Sequence, residues 1–151
     1  LHAIRAVVPS MVERGSGSVV GVSSAAGLIG VFGFTAYAPT KFAVRGLLES
    51  LRGELALHGV HVGCVYPPDV DTPMLADEAP FKPEETKAIS GTIKPISAEQ
   101  VALAIVRGIE RRTFSIAPDW RTRLLARTAG LVPEAFAMGF DRTVRRARAR
   151  R

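Results

Sequence analysis

Two short apolar runs, residues 19–23 (VVGVS) and 60–66 (VHVGCVY), dominate the folding problem posed by this chain. Between them Val44, Leu47, Leu48, Leu51 and Leu55 recur at the spacing of one helical face. A helix of that length between two strands suits a crossover connection, and with it parallel strands. The pattern extends both ways. Residues 2–14 carry Ile4, Val7, Val8, Met11 and Val12 at helical spacing, ending toward Gly15 and Gly17. Pro39 falls in the first turn of the long helix, where a missing N–H matters least, and Gly59 marks its end. Ser97 and Gln100 form a capping box before a helix reaching about Arg111, and residues 114–117 suit a last strand. The expected fold class is α/β, with a parallel sheet and crossover helices. Residues 69–95, rich in Pro, Asp, Glu and Lys, read as a mobile loop with one short helix.

With 151 residues, 47% of them hydrophobic, the chain can bury one sizeable core and is not disordered. Its single cysteine, Cys64, excludes an intrachain disulfide and a cysteine-built zinc site. His2, His58 and His61 lack metal-ligand spacing, so no metal is expected. No apolar run is long enough for a membrane-spanning helix, and the start lacks the order of a secretory signal. It begins mid-helix without methionine, which suggests a piece of something longer. The formal charge of +6 is uneven: residues 120–151 hold nine arginines against Glu134 and Asp141, while the rest is near neutral. The expected division is 1–118 as the α/β unit and 119–151 as a basic amphipathic tail.

Tyr37 and Lys41 are four apart at the start of the long helix, hence on one face with Cβ atoms about 5–6 Å apart. An ammonium there stabilises the phenolate, so the phenol can pass a proton to or from a substrate oxygen near neutral pH. The spacing alone more often marks a solvated pair. Ser24 lies thirteen residues earlier, just past the first strand, where open parallel sheets bind their ligands. It could donate to a substrate carbonyl or simply cap a turn. The second strand also runs into a polar loop, residues 67–72 (PPDVDT), that would open onto the same edge. Asp69 and Asp71 fit turn formation better than a paired-carboxylate site.

These residues resemble the short-chain dehydrogenase/reductases: VVGVSS at 19–24, YAPTK at 37–41 and VYPPDVDT at 65–72. The likeness covers about residues 1–118 and implies the C-terminal half of a Rossmann-type doubly wound parallel sheet, a three-layer α/β/α fold. FGFTAY followed by TKFA within 32–43, and YPPD-x-DTP at 66–73, are most similar to the 3-ketodihydrosphingosine reductase sub-group. The resemblance implies NAD(P)H-dependent reduction of a ketone to an alcohol, with NADPH preferred and NADH not excluded. It casts Tyr37 as general acid, Lys41 as the residue that eases its ionisation and binds the nicotinamide ribose, and Ser24 as the donor orienting the carbonyl. Pro67, Val70 and Thr72 resemble the loop that holds the nicotinamide carboxamide.

The family's glycine-rich phosphate loop is absent from these residues, as are the residues that choose NADP over NAD. The 151 residues alone are therefore expected to be inactive. A reductase of another hydrophobic or small ketone, and an inactive half-domain binding a membrane or partner, stay open as alternatives. Gly46, Ser50 and Gly53 form a small-residue stripe. It suits either close approach of a second subunit, as the family's dimers and tetramers imply, or packing on its own sheet. Trp120 and the arginines at 121, 123, 127, 142, 145 and 146 intermingle with apolar residues. That suits an anionic membrane surface, a solvated terminal helix packed on the domain with disordered arginines beyond it, or, least well, nucleic acid. The expected location is cytoplasmic, peripheral on the membrane face.

Overall fold

The computed structural model describes residues 1–91 and 94–149. Helix α1 (His2–Arg14) lays Ile4, Val8, Met11 and Val12 on the core. Gly15 ends it in the left-handed region at φ 68°, and the N–H groups of Gly15 and Ser16 return to the carbonyls of Val12 and Met11. Strand β1 (Gly17–Val22), a 3-10 turn (Ala25–Gly27), the twenty-residue helix α2 (Tyr37–Ala56) and strand β2 (Val60–Val65) follow. Strands β1 and β2 pair in parallel, from Gly17 opposite Val60 to Val22 opposite Val65.

The stretch after β2 is more ordered than its composition suggests. It holds a two-residue strand β3 (Val70–Asp71), helices α3 (Pro73–Glu78) and α4 (Glu84–Ser90), and a strand β4 (Ile96–Ser97). Strands β3 and β4 pair in parallel as a small second sheet, Val70 opposite Ile96. Residues 92 and 93 of the expected loop lie outside the described residues. Helix α5 (Ala98–Glu110) starts with the expected capping box: the Ser97 hydroxyl accepts from Gln100 N–H, and Gln100 Oε1 accepts from Ser97 N–H. Strand β5 (Ser115–Ile116) then joins the main sheet in parallel, giving the order β1-β2-β5.

Side-chain alternation decides which helix covers which face. A Cβ at Gly17 would strike Met11 of α1, and one at Gly21 would strike Leu48 of α2. Gly17, Val19 and Gly21 stand opposite Val60, Val62 and Cys64, so α1 and α2 cover one face together. The other face carries Gly63, Val65 and Ile116, and a Cβ at Gly108 of α5 would strike Ile116. The result is three layers, α/β/α. All six residues of β2 are buried, having strands on both edges and helices on both faces. Among the described residues strand β1 is paired on one edge, and Val22 at its end is 51% exposed.

The C-terminal stretch forms α6 (Trp120–Thr128), capped by Asp119, and α7 (Pro133–Arg148). Ala129 joins the buried core, with Leu125, Ala126 and Phe136 against it, and α7 packs on α4. The last two arginines expected in this tail lie outside the described residues. On α2, a Cβ added at Gly46 or Gly53 would meet nothing within 4 Å, so the small-residue stripe does not pack on its own sheet. His61 is buried on β2, with Nε2 3.1 Å from the Thr113 carbonyl.

Two glycines in the left-handed region provide a test. An alanine at Gly15 meets open space, whereas one at Gly59 (φ 69°) runs into the Gly15 carbonyl. Gly15→Ala should cost about 1 kcal/mol. Gly59→Ala should cost about 2–4 kcal/mol, since the αL strain is joined by a backbone clash. Equal losses by urea denaturation would contradict this packing. Burial, and then its hydrogen bond with Cys64, pushes the Tyr66 phenol well above 10, and burial likewise raises the Cys64 thiol. Both groups stay neutral in the fold at a pH where the unfolded chain ionises. Their contribution to stability is therefore complete below about pH 8.5, the ordinary thiol value. It declines as the pH climbs past the ordinary thiol and phenol values. In urea titrations, Tyr66→Phe should flatten the part of this decline above about pH 10.

Candidate functional site

Strand pairing does not stop at the end of β1. The Ser23 N–H donates to the Val65 carbonyl and the Ala25 N–H to the Pro67 carbonyl, each at 2.9 Å. The loops leaving the two strands are thus laced together at their carboxyl ends. A cleft of about 510 Å³ opens at this edge, and all six residues singled out from the sequence line it: Ser24, Tyr37, Lys41, Pro67, Val70 and Thr72.

Each is held by a local device. Ser24 has an extended backbone, and its Oγ accepts from Ala26 N–H at 3.1 Å, capping the 3-10 turn. That bond uses a lone pair and leaves the hydroxyl proton free to donate, so the capping role and a carbonyl-binding role are compatible. Tyr37 is the first residue of α2 and is 44% exposed toward the cleft. The Lys41 ammonium lies 5.3 Å from the Tyr37 ring centroid, on the shared face that the four-residue spacing requires. It also donates, at a long 3.4 Å, to the Val22 carbonyl. Thr72 caps α3, accepting from Leu75 N–H at 3.4 Å, and Val70 is fixed by its pairing with Ile96.

Several residues that position the site were not picked out from the sequence. Ser23 is 2% exposed, and its hydroxyl donates to the Lys41 carbonyl at 2.8 Å. A Cβ at Gly27 would press on both the Ser23 hydroxyl and the Lys41 carbonyl, so only glycine lets the turn lie this close to α2. The doubled serine and the glycine after it were the available signal. Phe34 stands edge-on to Tyr37, with ring centroids 5.5 Å apart at 69°. The buried Thr86 of α4 donates to the Phe32 carbonyl at 2.7 Å, tying residues 30–36 to the outer layer. Asp69 pairs with Lys82 at 3.0 Å, while Asp71 is exposed, so the two carboxylates do not work as a pair.

The cleft presents a free hydroxyl, a phenol beside an ammonium, and a proline-bordered loop. This donor set suits a polarised carbonyl and the ribose and carboxamide of a nicotinamide. It offers no backbone cradle for a pyrophosphate.

The model of the short chain dehydrogenase family matches residues 1–83. The chain is 48% identical over 144 residues to 3-ketodihydrosphingosine reductase of Dictyostelium discoideum, covering 93% of this chain and 43% of that protein. It is 44% identical over 155 residues to 3-ketodihydrosphingosine reductase of Mus musculus, covering 95% and 46%. A short-chain dehydrogenase structure from Streptomyces avermitilis superimposes with a TM-score of 0.68 at 27% identity, covering 93% and 56%. One from Sphingobium yanoikuyae in complex with NADPH gives 0.63 at 26%, covering 91% and 50%. The chain therefore spans about half the length of the curated relatives it matches. Since the family model accounts for over half of its residues and the strand-end cleft is built as described, this chain belongs to the short-chain dehydrogenase family.

Proposed function

We propose that this chain is the catalytic half of an NADPH-dependent reductase that converts a long-chain ketone of the 3-ketodihydrosphingosine type to its alcohol. The observation that carries this reading is the meeting of Ser24, Tyr37 and Lys41 in one cleft at the carboxyl edge of β1 and β2. The names of the relatives supply the substrate class. NADPH is taken from the resemblance and from the neighbour solved with it.

A bound reduced nicotinamide would supply the hydride. Lys41 and the 67–72 loop would hold its ribose and carboxamide, and Ser24 would donate to the ketone oxygen. Tyr37 would give that oxygen its proton, with the Lys41 ammonium stabilising the charge left on the phenolate. Tyr37→Phe removes one hydroxyl from a partly exposed position, so it should leave the fold intact. It should lower kcat by about 10²–10⁴-fold. The assay is NADPH oxidation with 3-ketodihydrosphingosine, on this chain fused to the glycine-rich first half of the Dictyostelium relative. Near-normal turnover would remove the acid role.

Assembly as a dimer or tetramer through α2 fits the open space beside Gly46 and Gly53 and the exposure of Leu47 on that helix. We also place the protein in the cytoplasm, peripheral on an anionic membrane face. Among the described residues no helix is long and apolar enough to cross a membrane. Helix α6 suits the surface role, because Trp120 and Leu124 are exposed beside Arg121, Arg123 and Arg127. Replacing Trp120 and Leu124 with serine should reduce co-sedimentation with phosphatidylserine vesicles several-fold. Unchanged pelleting would reject this surface.

A further inference from the structure

A second concavity, a groove of about 850 Å³, lies between residues 30–42 and helix α7. Its walls are apolar: Val31, Phe32 and Phe42 on one side, and Ala137, Phe140 and Val144 on the other. Phe32 and Phe42 are 37% and 41% exposed, so the groove leaves aromatic surface uncovered. Phe34 borders both this groove and the cleft, and the same ring stands edge-on to Tyr37.

The groove is braced from helix α4. Arg148, near the end of α7, lies over the Phe32 ring at 5.8 Å and pairs with Glu85 of α4 at 3.2 Å. Thr86, the next residue of α4, holds the Phe32 carbonyl. Helix α4 therefore ties α7 to the segment that carries Phe32 and Phe34.

We infer that this groove receives the alkyl chain of the substrate, with the ketone at Tyr37 and the hydrocarbon passing Phe34 to lie between residues 30–42 and α7. The inference rests on the reading of the cleft as a ketone site and adds where the chain-length specificity resides. Phe34 borders both cavities, so the groove lies directly beside the ketone site, and this adjacency favours a substrate chain over a separate ligand. An uncharged hydrocarbon also matches the lining, whose charged groups are Asp141 and the already paired Arg148.

Binding to this chain can be followed without turnover, using dansyl-labelled alkylamines of six to sixteen carbons and their fluorescence. Affinity should rise with chain length, by up to about fourfold per methylene, until the groove is filled. Ala137→Trp, at an exposed position of α7, should weaken the sixteen-carbon probe at least tenfold and leave the six-carbon probe nearly unchanged. Thr35→Trp fills the groove from the opposite wall and should act alike, with circular dichroism confirming the fold of each variant. Affinity independent of chain length, or unchanged sixteen-carbon binding in both folded variants, overturns the inference. Tyr37→Phe should retain chain-length-dependent binding. Failure of the groove is thus separable from failure of the ketone reading, which is decided by turnover of that variant.

Discussion

The parallel pairing of β1 with β2, continued by two backbone hydrogen bonds beyond the last strand residue, is the constraint on which the site depends. It brings Ser24 and Pro67, more than forty residues apart in the chain, to one edge. Strand β2 can hold this role because it is enclosed on both edges and both faces. Breaking its hydrogen bonds would expose polar backbone with no water to replace the partners.

Helix α2 carries the next level of organisation through three directions of its side chains. Inward, Leu48 and Leu55 fill the layer over the sheet, and Leu48 occupies the space that Gly21 leaves. At its start, Tyr37 and Lys41 face the cleft, while Ser23 and Gly27 clamp the backbone at Lys41. Outward, Gly46 and Gly53 leave its surface open. A buried hydroxyl with one backbone acceptor is a stiff support, because losing that acceptor would strand a polar group in the core. The backbone from which the ammonium extends is held in part by the Ser23 hydroxyl.

The outer layer shows how an irregular segment becomes ordered. The β3–β4 pair, the Asp69–Lys82 ion pair and the Thr86–Phe32 hydrogen bond are all contacts between parts distant in sequence. Local composition there reads as a loop, since proline and charged residues disfavour long regular elements. Tertiary contacts supply what propensity lacks. The arginine-rich end behaves similarly. Its charge suits a membrane-facing tail or a solvated helix packed on the domain, and Ala129 lies in the core with Phe136 packed against it. Net charge reports on the surface of a helix and says little about its apolar stripe.

The sequence by itself determined the three main strands, their parallel sense and the helices α1, α2 and α5. Those follow from hydrophobic periodicity and from the geometry of a crossover, which are local or nearly so. It also determined the face shared by Tyr37 and Lys41, because a four-residue spacing in a helix has one geometric outcome. Only the tertiary structure decided that Ser23 and Gly27 support Lys41, that Phe34 borders two cavities, and that α7 lies along one of them. These depend on which surfaces meet after the layers close, and side-chain packing across layers leaves no periodic trace in the chain.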